Sequence, residues 1–331
     1  MILITGGTGL VGGHLLFRFR ESEIPIRVLY RTESSIEKTR EIFNSYEENG
    51  ERFIKNFEWI QGDILEVPSL EIAMKDVTQV YHCAAVITGV SFRQMKKLNV
   101  TGTSNVVNVA LAHQVEKMCY VSSIATIGDP VGDRPKTEED FFNLDAKNSN
   151  YAISKYGGEM EAWRATQEGM SMVIVNPGII IGEGSWNSGS GLFFSKVKSG
   201  LSYFTSGSSG FVDVKDVVAC MHQLMDSELV NERYILVAEN TSFKTILNQI
   251  ANDLGKKPPK FQIPLWMLLV ISALTKIGSW FGFPRVLERA SAYSLSNDSS
   301  YDASKVTKAI GFSFSSVHDT VERVASFYKK S

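Results

Sequence analysis

The sequence predicts an α/β protein built on a doubly wound parallel sheet. Two observations carry this prediction: short runs rich in β-branched residues alternate with helical stretches through the first half of the chain, and a glycine-rich loop directly follows the first run. The predicted strands are residues 2–5, 26–30, 57–61, 79–83, 117–122, 172–176 and 233–238. The predicted helices are residues 12–21, 69–75, 99–113 and 151–167, with a further helix that follows 211–218 and ends near 227.

The composition indicates a soluble globular protein with one large domain or two lobes. The chain has 331 residues, of which 44% are hydrophobic and 21% are charged, so it can bury a large core. A formal net charge of −2 and the lack of a long basic run argue against a nucleic-acid partner. The start of the chain has no charged leader or apolar signal core, which predicts a cytoplasmic protein.

Cysteine and histidine usage gives no indication of a metal site. Cys83, Cys119 and Cys220 are widely spaced and odd in number, which predicts free thiols in a reducing compartment. The five histidines show no ligand spacing, so no metal is implied.

The loop Thr5-Gly-Gly-Thr-Gly-Leu-Val-Gly12 has the features of a dinucleotide pyrophosphate site. It can be parsed with glycines at 6, 9 and 12 or at 7, 9 and 12. Glycines allow a tight turn and a close approach of the backbone to a pyrophosphate, which then lies at the N-terminus of the following helix. A strand before the loop and a helix after it make the motif specific. The candidate cofactor contacts in the loop are Gly6, Gly9, Leu10, Val11 and Gly12.

The end of the second predicted strand bears on the choice of cofactor. An NAD enzyme usually places Asp or Glu there to bind the ribose 2′-hydroxyl, whereas this chain has Arg31-Thr-Glu33. Arg31 can pair with a 2′-phosphate and stack on adenine. NADP(H) is therefore the preferred cofactor, and Glu33 keeps NAD(H) as the alternative.

Further candidate cofactor contacts follow the ends of later predicted strands. Asp63 can accept a hydrogen bond from the adenine amino group, the small side chains after His82 leave room beside the cofactor, and the backbone after Asn176 can contact the nicotinamide amide. These candidates are Asp63, Ile64, Cys83, Ala84, Ala85, Pro177, Ile179 and Ile180.

Tyr151 and Lys155 are the strongest candidates for chemistry. A spacing of four places a phenol and an ammonium on one helical face, and a nearby cation is expected to lower the pKa of Tyr151 from about 10 towards working pH. Such a phenol can exchange a proton with a carbonyl or alcohol oxygen while a hydride is transferred. Ser123, at the end of the fifth predicted strand, can hydrogen-bond the same oxygen. Asn99 is interpreted as a helix cap that can also order a water near Lys155.

Together these motifs resemble the extended short-chain dehydrogenase/reductases (the NAD-dependent epimerase/dehydratase superfamily) over essentially the whole chain. The matching residues are 5–12, 62–63, 82–85, 99, 123, 151, 155, 176–178 and 211–216. The resemblance implies a Rossmann fold with a Ser–Tyr–Lys triad, in which Tyr151 is the general acid/base, Ser123 hydrogen-bonds the substrate and Lys155 holds the ribose. It also implies a homodimer formed through the helices that contain 101–112 and 151–167.

Within the family, the chain is most similar to dihydroflavonol-reductase-like and 3β-hydroxysteroid-dehydrogenase-like members. The similarity lies in Val28-Leu-Tyr-Arg31 and in the C-terminal patterns at 264–269, 301–305 and 310–312. The chain departs from sugar-nucleotide epimerases at Ile127, where those enzymes typically have Tyr.

The chain is predicted to divide into a dinucleotide-binding domain and a smaller lobe. Residues 1–178, with 211–238 returning, form the Rossmann domain, and residues 179–210 and 239–331 form a mostly C-terminal α+β substrate lobe. In 182–210, Gly and Ser interleave with aromatic residues, which suggests a mobile substrate-facing region. The charged stretches 36–56 (a helix and a surface loop) and 138–140 are predicted to be solvated.

Residues 264–283 form the most apolar part of the lobe. The uncharged run from Pro264 to Thr275 is too short to span a membrane, which needs about 20 apolar residues. The segment is predicted to be a buried or dimer-facing helix. The alternative is an interfacial helix in peripheral contact with a membrane through its aromatic residues.

The preferred functional hypothesis is an NADP(H)-dependent oxidoreductase that interconverts a ketone and a secondary alcohol on a small apolar molecule. The alternative is a nucleotide-sugar epimerase or dehydratase with tightly bound NAD, against which stands the small number of cations in 179–210, namely Lys196 and Lys198. A third hypothesis is a regulator or assembly factor that binds the cofactor without turnover. The presence of both Tyr151 and Lys155 argues against it.

Overall fold

A seven-stranded parallel sheet lies at the centre of the protein and confirms the predicted doubly wound fold. This computed structural model describes residues 1–184, 186–280 and 287–330, without the side chains of 277–280. The strands of the sheet are β1 Ile2–Thr5, β2 Ile26–Tyr30, β3 Glu58–Gln61, β4 Gln79–His82, β5 Lys117–Val121, β6 Ser171–Pro177 and β10 Glu232–Leu236. They lie in the order β10-β6-β5-β4-β1-β2-β3, and each pairing is parallel.

Helices cover both faces of this sheet and bury its alternating side chains. They are α1 Leu10–Arg18, α2 Ile36–Tyr46, α3 Val67–Met74, α4 Phe92–Lys96, α5 Gly102–Ala112, α6 Asn150–Gln167, α8 Val214–Asp226 and α12 Ser304–Ile310. Ile2 and Ile4 of β1 join the core beneath α1, α2 and α8, whereas Leu3 joins the core beneath α3, α5 and α6. Each face therefore has its own apolar core, as expected for a parallel sheet that is buried on both sides.

Outside the central sheet, the described chain contains a three-stranded and a two-stranded sheet with the helices around them, and we call this part the lobe. Its elements are β7 Ile179–Ile181, α7 Gly191–Lys198, β8 Tyr203–Phe204, β9 Ser208–Asp213, β11 Glu239–Ser242, α9 Phe243–Asp253, β12 Phe261–Gln262, α10 Leu265–Trp280, α11 Arg289–Ser294 and α13 Val317–Lys330. β9 lies between β7 and β11, and β8 pairs with β12. Helix α8 follows β9 and packs against α1, so residues 208–236 connect the lobe to the central sheet.

Four of the five aromatic residues of 182–210 lie in or against the core of this lobe, and Tyr203 is exposed. Phe194 and Phe204 are buried, and the Trp186 ring lies 4.6 Å from the Tyr328 ring of α13, measured between centroids. The prediction of a mobile substrate-facing region is therefore wrong for the described part of this stretch, and Ser185 lies outside the described residues. The large apolar side chains pack inward against α9 and α13, while Gly and Ser occupy much of the chain between α7 and β9.

Two stretches that were predicted to be solvated contribute buried residues. Ile42 and Phe43 of α2 are buried because apolar side chains at helical spacing line the inner face of an otherwise charged helix. In 138–140, the Glu138 carboxylate accepts a hydrogen bond from the Ile235 N–H at 2.8 Å, and Asp140 is buried. High charge density therefore did not indicate solvation in either stretch.

The apolar segment 264–283 contains α10, which is only half-buried. Leu268 and Ser272 face inward, whereas Trp266, Val270 and Leu274 are exposed. The prediction of a buried helix is therefore wrong for one face of α10. Among the helices of the described ranges, none combines the length and the apolar character needed to cross a membrane. Residues 281–283 of the predicted segment lie outside the described residues.

A buried carboxylate, Glu159 of α6, joins this helix to the ends of three strands. Its Oε2 atom accepts hydrogen bonds from Ser122 Oγ at 2.5 Å, from Thr126 Oγ1 at 2.6 Å and from Asn176 Nδ2 at 2.9 Å. Its Oε1 atom pairs with Arg233 Nη1 of β10 at 3.0 Å. A buried charge is tolerated when it is both paired and hydrogen-bonded, as here.

The substitution Glu159→Gln would leave the buried guanidinium of Arg233 without a counter-charge. Loss of one partner from a buried ion pair costs about 3–5 kcal/mol, and we expect a loss of that order in the free energy of unfolding, measured by urea titration. Glu161→Gln on the same helix is the matched control, because the partly exposed pair of Glu161 with Arg164 should contribute at most about 1 kcal/mol. Equal losses in the two variants would contradict a buried origin of the effect.

Candidate active site

The candidate residues meet along the edge formed by the carboxyl ends of the parallel strands. β1 lies between β4 and β2, so the strand order reverses direction at β1. Doubly wound sheets bind ligands in the crevice outside the strand ends at such a point. The register places Thr5 of β1 beside His82 of β4, and Val121 of β5 beside Val175 of β6. The residues that directly follow these strands therefore lie at the same edge of the sheet.

The glycine-rich loop lies at this edge, and its tight turn requires glycine at two positions. Gly6 has a φ of +72°, and a Cβ atom there would lie 2.6 Å from the Ala84 nitrogen. A Cβ atom on Gly12 would lie 2.2 Å from the Gly6 oxygen. The Gly9 N–H donates to the Gly6 carbonyl at 2.9 Å, and α1 begins at Leu10. A tight turn that leads into a helix N-terminus fits the pyrophosphate of a dinucleotide.

Four other predicted cofactor contacts follow the ends of β2, β3 and β4. Arg31 is exposed just beyond β2, and Ala84 lies against Gly6. Asp63 Oδ1 accepts a hydrogen bond from the Leu65 N–H at 2.9 Å. The Ile64 side chain is buried and packs against α5, where a Cβ atom on Gly102 would meet it at 2.5 Å. The side chain of Ile64 therefore packs between elements of the protein in this structure.

The remaining predicted cofactor contacts either follow β4 or lie in β6 and β7. Cys83 follows β4 and is half-buried, and burial raises the pKa of its thiol to about 12, so the thiol is inert at neutral pH. Ala85, two residues after Cys83, is exposed. Pro177 is the last residue of β6, and Ile179 and Ile180 belong to β7, where they pair with Phe211 and Val212 of β9.

Tyr151 lies in the first turn of α6, where Ser149 caps the helix by accepting a hydrogen bond from the Ala152 N–H at 3.1 Å. Burial raises the pKa of Tyr151 above its ordinary value, and a hydrogen bond with Ser123 opposes this effect. The structure thus brings Tyr151 and Ser123 together. The predicted fall of the Tyr151 pKa is wrong for this structure, because desolvation of the phenolate has the larger effect.

Lys155 is buried one turn further along α6. Its Nζ atom donates to Tyr120 Oη at 2.9 Å and to the Val121 carbonyl at 2.8 Å. Burial lowers the pKa of the ammonium to about 8, while the negative charge of Glu159 acts in the opposite direction. Tyr120 was not predicted as a site residue. Its position in β5 gave no sign that the hydroxyl reaches Lys155, which requires a glycine at 158, since a Cβ atom there would lie 2.4 Å from Tyr120 Oη.

Asn99 has a different role from the predicted one. It lies in a π-helical turn, Lys97–Thr101, that precedes α5, and is not the cap of a helix. Its Oδ1 atom accepts from the Val86 N–H at 2.8 Å, and its Nδ2 atom donates to the Val86 carbonyl and to Ser154 Oγ. The amide therefore fixes the chain after β4 against α6. These contacts occupy the side chain, so the prediction that it orders a water near Lys155 has no support here.

The comparisons with known proteins agree with this geometry. Residues 2–237 match the family described as the NAD dependent epimerase/dehydratase family. A putative dihydroflavonol 4-reductase from Synechocystis sp. is 27% identical over 98% of this chain and 94% of its own length.

Two solved structures share the fold. The structure of gox2253 covers 100% of this chain and 98% of its own, with a TM-score of 0.82 and 23% identity. The Bordetella bronchiseptica enzyme WbmG, in complex with NAD and UDP, covers 99% of this chain and 94% of its own, with a TM-score of 0.75 and 18% identity. The family match, which spans well over half of the chain, confirms the resemblance drawn from the motifs. The chain belongs to the NAD-dependent epimerase/dehydratase family, whose members are extended short-chain dehydrogenase/reductases.

Proposed function

We propose that this protein is an NADP(H)-dependent oxidoreductase that interconverts a ketone and a secondary alcohol on an apolar substrate. The observation that carries the proposal is the buried ammonium of Lys155, which the end of β5 holds one helical turn beyond Tyr151, with Ser123 near the phenol. This group lies at the same sheet edge as the glycine-rich loop. We further propose a homodimer formed through α5 and α6.

In this mechanism, the nicotinamide cofactor supplies or accepts the hydride when bound. Tyr151 Oη gives a proton to the substrate oxygen in reduction and takes one in oxidation, and Ser123 hydrogen-bonds the same oxygen. A raised Tyr151 pKa keeps the phenol protonated at neutral pH, which suits proton donation to a ketone. Lys155 lies within one turn of the phenol and supplies positive charge and N–H donors for the ribose.

The proposal of an apolar substrate is supported by the segment that follows β4 at this edge. Ile87, Val90 and Phe92 are exposed there, directly after the segment that Asn99 holds by the Val86 backbone. The relative named as a putative dihydroflavonol 4-reductase also favours a ketone substrate. The aromatic residues of 182–210 give no support, because four of the five are engaged in the core of the lobe.

A nucleotide-sugar epimerase or dehydratase with tightly bound NAD is the second candidate. It is favoured by the likeness to WbmG, which was solved with NAD and UDP. Residues 184–212 contain only two cations, Lys196 and Lys198, which is a small provision for a nucleotide diphosphate. A non-catalytic regulator is less well supported, since Ser123, Tyr151 and Lys155 are all present.

Tyr151→Phe should reduce kcat by about 10²–10⁴-fold, because the proton donor is lost. Cofactor affinity, measured by fluorescence titration, should change little, because the variant keeps the ring and removes one hydroxyl. Tyr156→Phe on the same helix is the matched control and should retain activity. Full turnover by Tyr151→Phe would refute the assignment of the general acid.

The charge on Lys155 gives a second test. An ammonium is charged below its pKa and neutral above it, so the value of kcat/KM for the cofactor should fall as the pH rises through about 8. Lys155→Met should have low activity without this fall. A wild-type profile that stays level from pH 7 to 9 would show that the charge of Lys155 does not contribute to binding or turnover of the cofactor.

Cofactor choice can be tested at Arg31. Arg31→Glu should raise the dissociation constant for NADPH far more than that for NADH, because it replaces a partner of the 2′-phosphate by a like charge. Arg40→Glu, on the exposed side of α2, is the matched control. An equal effect of Arg31→Glu on both cofactors would remove Arg31 from cofactor choice. Wild-type protein that is purified with NAD already bound would favour the second candidate.

A further inference from the structure

An exposed apolar stripe runs along α10. Trp266, Val270 and Leu274 are 63%, 48% and 62% exposed, and their spacing of four residues places them on one side of the helix. Met267 lies beside the first of them and is also exposed. Single exposed apolar side chains are common on protein surfaces, but a continuous stripe of large ones marks an interaction surface.

The strand before α10 adds aromatic residues to this surface. Phe261 of β12 is 61% exposed, and its ring lies 5.9 Å from the exposed ring of Tyr203 in β8, measured between centroids. β12 ends two residues before Pro264, which begins the first turn of α10. We call the set formed by these side chains the apolar face: Tyr203, Phe261, Trp266, Met267, Val270 and Leu274.

Positive charge borders the apolar face, and negative charge is missing from the segments that form it. Residues 255–280 contain four lysines and no Asp or Glu, and 184–212 contain two lysines and no Asp or Glu. Lys256, Lys257 and Lys260 are exposed immediately before Phe261. The whole chain has a net charge of −2, so this excess of cations is local.

We propose that the apolar face docks on the surface of an anionic lipid bilayer, with α10 lying in the interface parallel to the membrane. A helix of 16 residues is about 24 Å long, which is shorter than the hydrocarbon core. Large apolar side chains on a helix surface, with lysines nearby, can enter the interface while the lysines meet anionic headgroups. Trp266 and Tyr203 are residue types that anchor at headgroup level.

A second copy of the chain fits this surface less well. A two-fold dimer brings the same patch of each copy together, so Lys256, Lys257 and Lys260 would approach their own counterparts. Like charges in that position oppose association. An anionic bilayer can bury the apolar stripe and attract the lysines at the same time.

The docking surface is also connected to the catalytic helix. α10 packs against α11, and Glu288, just before α11, accepts hydrogen bonds from the Asn150 N–H at 3.0 Å and from Asn150 Nδ2 at 2.6 Å. Asn150 precedes Tyr151. The docked face therefore lies on elements that contact the start of α6, although docking itself does not depend on the proposed reaction.

Co-sedimentation with lipid vesicles tests the proposal. We expect the full chain to sediment with vesicles of phosphatidylcholine and phosphatidylglycerol, and to sediment at least tenfold less with phosphatidylcholine alone or in high salt. The triple variant Lys256→Glu, Lys257→Glu, Lys260→Glu should lose this binding. The control Lys55→Glu, Lys75→Glu, Lys308→Glu changes three exposed lysines elsewhere and should keep it.

A second pair of variants tests the apolar contribution. Trp266→Ser, Val270→Ser, Leu274→Ser should abolish sedimentation, whereas Ile72→Ser, Val131→Ser, Leu144→Ser, at exposed positions outside the apolar face, should not. Thermal unfolding shows whether each variant is folded. In the wild type, tryptophan emission should shift to the blue with anionic vesicles, and the shift should be smaller in Trp266→Phe, which should still sediment.

Three results would overturn the proposal. Wild-type protein that stays in solution with anionic vesicles would exclude a bilayer partner. Dimerisation that is lost in the serine variant of α10, without vesicle binding, would assign the apolar face to a second copy. Sedimentation with no change in the emission of Trp266 would show that α10 does not enter the interface. None of these results depends on the catalytic variants, so they leave the proposed reaction untouched.

Discussion

The buried carboxylate of Glu159 is the interaction on which the geometry of the candidate site depends. Glu159 lies one turn beyond Lys155 on α6, and its partners follow β5, end β6 and lie in β10. A charge at this depth is stable only while every partner is in place. The rotation of α6 and the positions of the strand ends are thus fixed together, and Ser123 is the neighbour of one partner, Ser122.

The sequence predicted the features that local pattern determines. The strands of the central sheet are short runs that contain β-branched or aromatic residues, and the loop at Gly6 contains several closely spaced glycines, so both could be identified without tertiary information. Contacts between distant residues gave no such sign. Arg233 meets Glu159 across 74 residues, and Tyr120 meets Lys155 across 35. For the same reason, the charged stretch 138–140 was predicted to be exposed, although Glu138 is required to accept the N–H of Ile235.

The Tyr151 pKa shows why a correct motif can give a wrong electrostatic prediction. Spacing indicates that a cation is one turn away, but it does not give the depth of either group. In the structure, burial raises the pKa of the phenol and lowers that of Lys155 to about 8, because each charged form loses solvation. The two groups remain neighbours in sequence and on the helix, yet Lys155 directs its ammonium to Tyr120 and to the Val121 carbonyl.

The family match ends at residue 237, whereas the relatives compared with this chain extend over nearly all of it. The glycine-rich loop, Ser123, Tyr151 and Lys155 all lie within the matched part, so the residues of the proposed reaction lie where the family model matches. Helices α9 to α13 follow the matched part, and they include the apolar stripe of α10. Because Glu288 holds the start of α6 from this region, the part of the chain outside the family match contacts the helix that bears the proposed proton donor. A change in this C-terminal part can therefore reach the start of α6 without a change in the glycine-rich loop, Ser123 or Lys155.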